Sequence, residues 1–193
     1  NYYGGIVCVC VCVFIVYRER ECVYICVIGD FEIEGWICSH CKYFQTFLYI
    51  YISCFIVVKF GALCSGNPGN SKRPCDNKYG CGNYGASRDG GKRKHLGLDI
   101  TCSDGATVFA PFDVTLNGKA APYKKNNAIN DGVSLSGAGL CFKLFYVKPD
   151  KYSGSLKKGQ RLGTMLPMQK VYPGIGSHVH VQMCDKSDPT KYF

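Results

Sequence analysis

From residue 96 onward, apolar residues come in short bursts with turns between them. LGLDI (96–100), ATVFAPF (106–112), VTLNG (114–118), GVSLS (132–136), CFKLFYV (141–147), QRLGTML (160–166) and HVHVQM (178–183) all read as strands. Several alternate apolar and polar residues, which sends successive side chains to opposite faces. Gly or Pro punctuates nearly every gap, and no stretch sustains a helical period. The pattern predicts an all-β domain, an antiparallel sheet with long loops. Residues 65–94 are rich in Gly, Asn, Ser, Lys and Arg and read as loops.

Residues 1–60 follow a different pattern. Val7 to Val13 reads VCVCVCV, Arg18 to Glu21 reads RERE, and Tyr49 to Ile52 reads YIYI. In-frame repeats of GT, AG and TA dinucleotides encode Val-Cys, Arg-Glu and Tyr-Ile. The segment is therefore expected to be translated non-coding sequence and is assigned no domain. Two structural readings stand beside this one. VCVCVCV has the composition of a buried strand. Phe47 to Val58 is too short to span a bilayer but resembles the apolar region of a signal peptide. The domain itself is placed at 61–193.

Dividing the chain there changes what composition implies. Residues 1–60 carry four Lys/Arg, five Asp/Glu and eight Cys. Residues 61–193 carry 19 Lys/Arg, nine Asp, no Glu and six Cys, a net charge of +10 (19 − 9). The six cysteines are Cys64, Cys75, Cys81, Cys102, Cys141 and Cys184. An even count in a compact basic domain suggests three disulfides and an oxidising, extracellular compartment, with reduced core thiols as the alternative. Spacing fixes no pairing, although Cys75 and Cys81 bracket a turn-rich loop that suits a local bridge. The absence of a Cys-x-x-Cys pair in this half argues against a zinc finger.

The domain has three histidines: His95, His178 and His180. His178 and His180 lie two apart in a predicted strand, so both leave the same face. His95 and Asp99 frame H-L-G-L-D, whose central glycine permits close approach of a ligand or a neighbouring strand. Two imidazoles and one carboxylate suffice to hold Zn²⁺ with an open fourth position. The same residues also fit an ordinary His95–Asp99 ion pair beside the basic run Lys92-Arg93-Lys94, and the spacing alone does not separate the two.

His95-x-x-x-Asp99 and His178-x-His180, with GATVFAPFDVTLNG and LKKGQRLGTM between them, resemble the lysostaphin-type zinc metallopeptidases. CDNKYGCGNYGASR, PYKKNNAINDGVSLSG and LPMQKVYPGIGSHVHVQMCDKSDPTKYF resemble more closely a vertebrate secreted chemotaxin family built on that fold. The resemblance covers residues 62–193. It implies one zinc, structural in the sense of tying the His95 loop to the His180 strand, held by His95, Asp99 and His180, with His178 beside it as a vestige of catalysis. It also implies the pairs Cys64–Cys102, Cys75–Cys81 and Cys141–Cys184. The peptidases need two further histidines near the metal; one matches His178, and the other aligns with Lys148 in Tyr146-Val147-Lys148-Pro149. No catalytic residue is therefore assigned. The expected function is a secreted zinc-binding signalling protein, a neutrophil chemotactic factor that engages cell-surface receptors. The alternative is an active zinc metalloendopeptidase on Gly-rich or peptidoglycan peptides.

The charge of +10 favours polyanionic partners. Lys92, Arg93 and Lys94 form one dense cluster, and Lys157, Lys158 and Arg161 another, so heparan sulfate-type glycosaminoglycans are the expected ligands. Nucleic acid is not expected, because no recognition motif is present, and neither is a membrane span.

Overall fold

The computed structural model describes residues 58–193, together with two short paired strands, Cys8–Val9 and Phe55–Ile56. The chain divides into two units, Asn1–Val57 and Val58–Phe193, and everything below concerns the second. The dipeptide runs and the apolar stretch of residues 1–60 otherwise lie outside the described residues.

Eleven strands follow in order: β1 Ser87–Arg88, β2 Arg93–Lys94, β3 Leu98–Thr101, β4 Thr107–Phe109, β5 Val114–Lys119, β6 Gly132–Gly137, β7 Leu140–Phe145, β8 Val147–Pro149, β9 Ser153–Leu156, β10 Arg161–Met165 and β11 His178–Met183. Six form one antiparallel sheet in the order β9-β5-β6-β7-β11-β3. A second sheet runs β8-β10-β4, and β1 pairs with β2 in a small hairpin. Among the described residues the remaining regular structure is three short 3₁₀ turns, and no helix is long and apolar enough to cross a membrane. The domain is all-β and antiparallel.

The core follows from the alternation. Leu98 and Ile100 of β3, Val133 and Leu135 of β6, Phe142 and Leu144 of β7, and Val179 and Val181 of β11 are all fully buried. Val108, Leu162 and Met165 join them from the smaller sheet. Burying an aliphatic or aromatic side chain of this kind contributes roughly 1.5–3 kcal/mol. Phe60 closes one end, packing edge-on against Phe112 and Phe142 and stacked on Phe193 at 4.7 Å.

Among the described residues three disulfides are present: Cys64–Cys102, Cys75–Cys81 and Cys141–Cys184. The first and third close loops of 38 and 43 residues and tie elements remote in sequence.

The run 141–147 is two strands rather than one. Tyr146 adopts φ +69°, a left-handed conformation that breaks the extended chain. Residues before it belong to the six-stranded sheet and those after it to the three-stranded sheet. Two further differences concern β9 and the β1–β2 hairpin, which lie where the sequence carries no apolar alternation. Strand β3 is an edge, and the preceding loop covers it. Arg73 N–H donates to Asp99 O at 2.8 Å, Thr101 N–H to Ser71 O at 3.0 Å, and Asp99 N–H to Gly82 O at 2.9 Å. Loop residues 71–82 are thus pinned against the strand that carries Asp99.

Candidate metal centre

Register brings the site together. In the β11–β3 ladder His180 lies directly opposite Asp99, and directly opposed side chains share a face at short range. His178, two residues earlier, shares that face. Val179 and Val181 point the other way into the core, so the strand is buried on both sides.

His95 reaches the pair from the loop before β3. Its backbone is fixed on both sides, with His95 N–H donating to Ala86 O at 2.9 Å and Gly85 N–H to His95 O at 2.8 Å. Its Nδ1 lies 2.8 Å from Asn83 O. A carbonyl accepts only, so Nδ1 carries the proton and Nε2 of the neutral ring presents a lone pair.

Three donor atoms converge. His95 Nε2, His180 Nδ1 and Asp99 Oδ1 are each 3.0 Å from the other two. All three residues are buried. With Nδ1 of His95 protonated, a single proton on His180 Nδ1 satisfies one edge of this triangle at most. The edge between His95 Nε2 and Asp99 Oδ1 sets acceptor against acceptor. A bound cation relieves all three edges together. Tetrahedral zinc with bonds of about 2.0–2.1 Å places its ligand atoms roughly 3.3–3.4 Å apart, close to the edge seen here. Nitrogen, nitrogen and carboxylate oxygen are also a donor set that zinc takes. These residues fit the ion.

Gly97 makes the close approach possible. A Cβ there would lie 2.5 Å from both Val181 O and His180 Cε1. The glycine of H-L-G-L-D therefore lets the His95 loop cross over the His180 ring.

Burial disfavours the charged form of Asp99. The close approach of His180 and His95 and the nearby His178 outweigh it and hold the carboxyl well below the usual range. On its other side, Asp99 Oδ2 faces Arg73 Nε at 3.3 Å and Arg88 Nη2 at 3.6 Å. Arg73 is itself buried. Neither arginine stands out in the sequence, because both lie in the irregular 65–94 region far from the histidine motif.

His178 is adjacent to the triangle. Its Nε2 is 3.5 Å from Asp99 Oδ1, and its Nδ1 sits 2.7 Å from Gly176 O, so Nε2 is again the free acceptor. Burial pushes the ring down to about 4, partly offset by Asp99. The neighbour facing these histidines is Tyr146, edge-on to His178 at 5.6 Å and to His180 at 6.3 Å. Its hydroxyl pairs with Tyr123 at 3.0 Å, which also meets Tyr172 at 3.2 Å. Burial raises the Tyr146 phenol to about 12.

Lys148 is not part of this arrangement. Its Nζ lies 3.5 Å from Asp131 Oδ2 and 5.7 Å from the centre of the Tyr152 ring, with the side chain 62% exposed. The left-handed turn at Tyr146 lets Tyr146 face the histidines while Lys148 leaves in another direction.

The cluster lies in a groove of about 1030 Å³. Tyr79, Tyr123, Tyr146 and Tyr172 line it, as do Lys78, Arg93 and Lys94. Of the two basic clusters, the first thus reaches the groove through Arg93 and Lys94, with Arg93 paired to Asp89 at 2.7 Å. The other is largely compensated: Lys157 pairs with Asp113 at 2.8 Å and Arg161 with Asp150 at 2.9 Å. The structure does not bring the two clusters into one surface feature of the groove.

No family profile matches the chain. Among solved structures it is similar to Csd3 of Helicobacter pylori, with a TM-score of 0.39 and 16% identity over 69% of this chain and 35% of that one. Among curated proteins, myeloid protein 1 of Gallus gallus is 57% identical over 132 residues, 68% of this chain and 40% of that protein. Leukocyte cell-derived chemotaxin-2 of Mus musculus is 56% identical over 131 residues, 68% of this chain and 85% of the mouse protein. The Bos taurus protein of the same name is 52% identical over 142 residues, 74% of this chain and 92% of its own length. On these identities and coverages, the chain belongs to the leukocyte cell-derived chemotaxin-2 family.

Proposed function

We propose that this chain is a secreted zinc-binding signalling protein, a chemotactic factor for neutrophils that acts through cell-surface receptors. In this reading His95, Asp99 and His180 hold one zinc ion, and peptidase chemistry is incomplete. The observation that carries the zinc reading is the buried triangle of His95 Nε2, His180 Nδ1 and Asp99 Oδ1, 3.0 Å on each edge. The chemotactic reading rests on the family, whose mouse and bovine members carry that activity in their names. Three disulfides fit an extracellular setting.

A zinc ion with three protein ligands supplies Lewis acidity and an activated water. Hydrolysis requires more from the chain: a base for that water and a donor for the developing oxyanion. His178 Nε2 is available as one such group. The second histidine position of the peptidases falls at Lys148, which is engaged with Asp131. The side chain that does face the histidines is Tyr146, whose hydroxyl is engaged by Tyr123. Residues 61–193 contain no glutamate and no further histidine. The ion then serves to tie the His95 loop to β11 and β3.

The exposed run Lys92-Arg93-Lys94, of which Arg93 and Lys94 line the groove together with Lys78, is the better candidate for a sulfated glycosaminoglycan. Lys157 and Arg161 already have carboxylate partners.

Pure zinc-loaded protein tests the reading in two parallel assays. It is expected to draw neutrophils in a dose-dependent manner and to leave Gly-rich peptides and peptidoglycan intact. Turnover abolished by His178→Ala would overturn the incomplete-peptidase reading, and no migration would overturn the signalling one.

A further inference from the structure

Arg73 has no role in the reading above, yet it is the most enclosed cation in the domain. Its side chain is 2% exposed. Nε faces Asp99 Oδ2 at 3.3 Å; Nη1 donates to Asp76 Oδ2 at 2.8 Å, to Gly80 O at 2.9 Å and to Pro74 O at 3.3 Å. Asp76 and Gly80 lie within the loop closed by Cys75–Cys81. The backbone binds the same way, with Arg73 N–H on Asp99 O. Gly82 lets these segments close: a Cβ there would lie 2.7 Å from Arg73 O and 3.0 Å from Asp99 Cβ. Arg88 adds a weaker contact to Asp99 Oδ2 at 3.6 Å and is anchored by donating to Cys81 O at 2.7 Å.

Asp99 therefore has two differently occupied oxygens. Oδ1 faces the histidines and Oδ2 faces guanidinium groups. A carboxylate held this way offers a metal one oxygen. With both oxygens free, it can chelate, which adds a hard donor and raises the coordination number. That change favours cations such as Mn²⁺, which prefer more oxygen ligands, over tetrahedral Zn²⁺.

We propose that Arg73 is a positioning residue that keeps Asp99 monodentate and so sets the metal preference of the site, with the Cys75–Cys81 loop as its holder. This rests on the zinc reading above. Absolute affinity is a poor test, because a buried cation also repels any divalent ion. That repulsion opposes the orienting effect. The ratio of Zn²⁺ to Mn²⁺ affinity cancels it, since both ions carry the same charge.

The experiment compares the full chain with Arg73→Met and Arg73→Lys. Zn²⁺ and Mn²⁺ affinities are measured by chelator competition, and the visible spectrum of the Co²⁺ form reports coordination number. Intact mass with three disulfides and near-ultraviolet circular dichroism check the fold. Both variants are expected to narrow the Zn²⁺ preference by about tenfold, the lower end of what loss of a ligand's hydrogen-bond partner costs metal sites. Their Co²⁺ bands should weaken as the site becomes five- or six-coordinate. Lysine retains the charge but lacks the Nε–H and the fork, so it should not rescue. A ratio within twofold of wild type and an unchanged Co²⁺ spectrum in Arg73→Met would overturn the assignment, as would full rescue by Arg73→Lys. Should neither variant accumulate, Arg88→Gln tests the same oxygen from its more exposed side, with a smaller shift in the same direction expected and no shift counting against. Wild-type protein that takes up neither Zn²⁺ nor Co²⁺ would remove the metal reading itself, an outcome distinct from intact binding with no effect of Arg73.

Discussion

Replacing Gly97 with alanine adds one methyl group at a close approach within the candidate metal centre. The new carbon would stand 2.5 Å from His180 Cε1 and 2.5 Å from Val181 O. Carbon contacts are ordinarily about 3.5–4.0 Å, so the overlap is roughly 1 Å on two sides at once. Neither neighbour yields easily. Val181 lies on the interior strand β11, flanked by Leu144 and Leu98 in the ladders on either side. His180 is stacked against Phe145 at 5.7 Å while its Nδ1 occupies a corner of the donor triangle. Over-packing of this kind costs about 1–3 kcal/mol. At about 4 °C per kcal/mol for a domain of this size, the melting temperature should fall by roughly 4–12 °C. Metal retention should suffer more, because a ligand shift near 1 Å far exceeds the tolerance of about 0.2 Å in zinc–ligand distances. Calorimetry and metal content on the same preparation provide the assay. Gly69→Ala is the control: a Cβ there meets nothing within 4 Å, so its melting temperature should stay near that of wild type. Gly97→Ala protein that melts within a degree of wild type and keeps its zinc would refute the close-approach argument.

Two further outcomes are expected. In metal-free protein His178 is buried with its pKa lowered to about 4, against about 6.5 in the unfolded chain. The unfolded state then binds more protons between those values, so stability should fall as pH drops from about 6.5 towards 4. Thermal melts of chelator-treated protein should show this slope, and His178→Gln should flatten it; an identical slope in the variant would assign the effect elsewhere. Replacing Cys75 and Cys81 together by serine removes a short loop closure worth about 2 kcal/mol on the chain-entropy account, which denaturant titration should detect. No loss of stability there would place little constraint in that bridge.

The strand pattern of the domain was legible because one face of each strand meets the core. HVHVQM (178–183) coincides with β11, and GVSLS and VTLNG extend by one residue to Gly137 and Lys119. Serine and glycine in β9 (SGSL) bury little, so its pairing with β5 left no periodic trace. The break at Tyr146 is likewise a backbone event, a left-handed residue inside an apolar run, and apolar composition is blind to it. At the site, the i, i+2 spacing of His178 and His180 read directly as one face of a strand. Their convergence with His95 and Asp99 depends on the β11–β3 register, which spacing does not encode; the family resemblance supplied that step. Arg73 and Arg88 were invisible for a related reason. They reach Asp99 from irregular loops, through contacts that follow neither period two nor any motif. The charge clusters carry detail that composition does not show: the fold sets Asp113 and Asp150 against Lys157 and Arg161, as it sets Asp89 against Arg93.

The central claim is that His95, Asp99 and His180 hold a single zinc ion. Its most direct test is the metal content, by mass spectrometry, of protein secreted from cells and purified without added metal. The account predicts close to one zinc per chain, lost in Asp99→Asn and His180→Ala and retained in His178→Ala. Metal-free wild-type protein that refuses zinc on titration, or zinc that persists after Asp99 and His180 are both replaced, would contradict it.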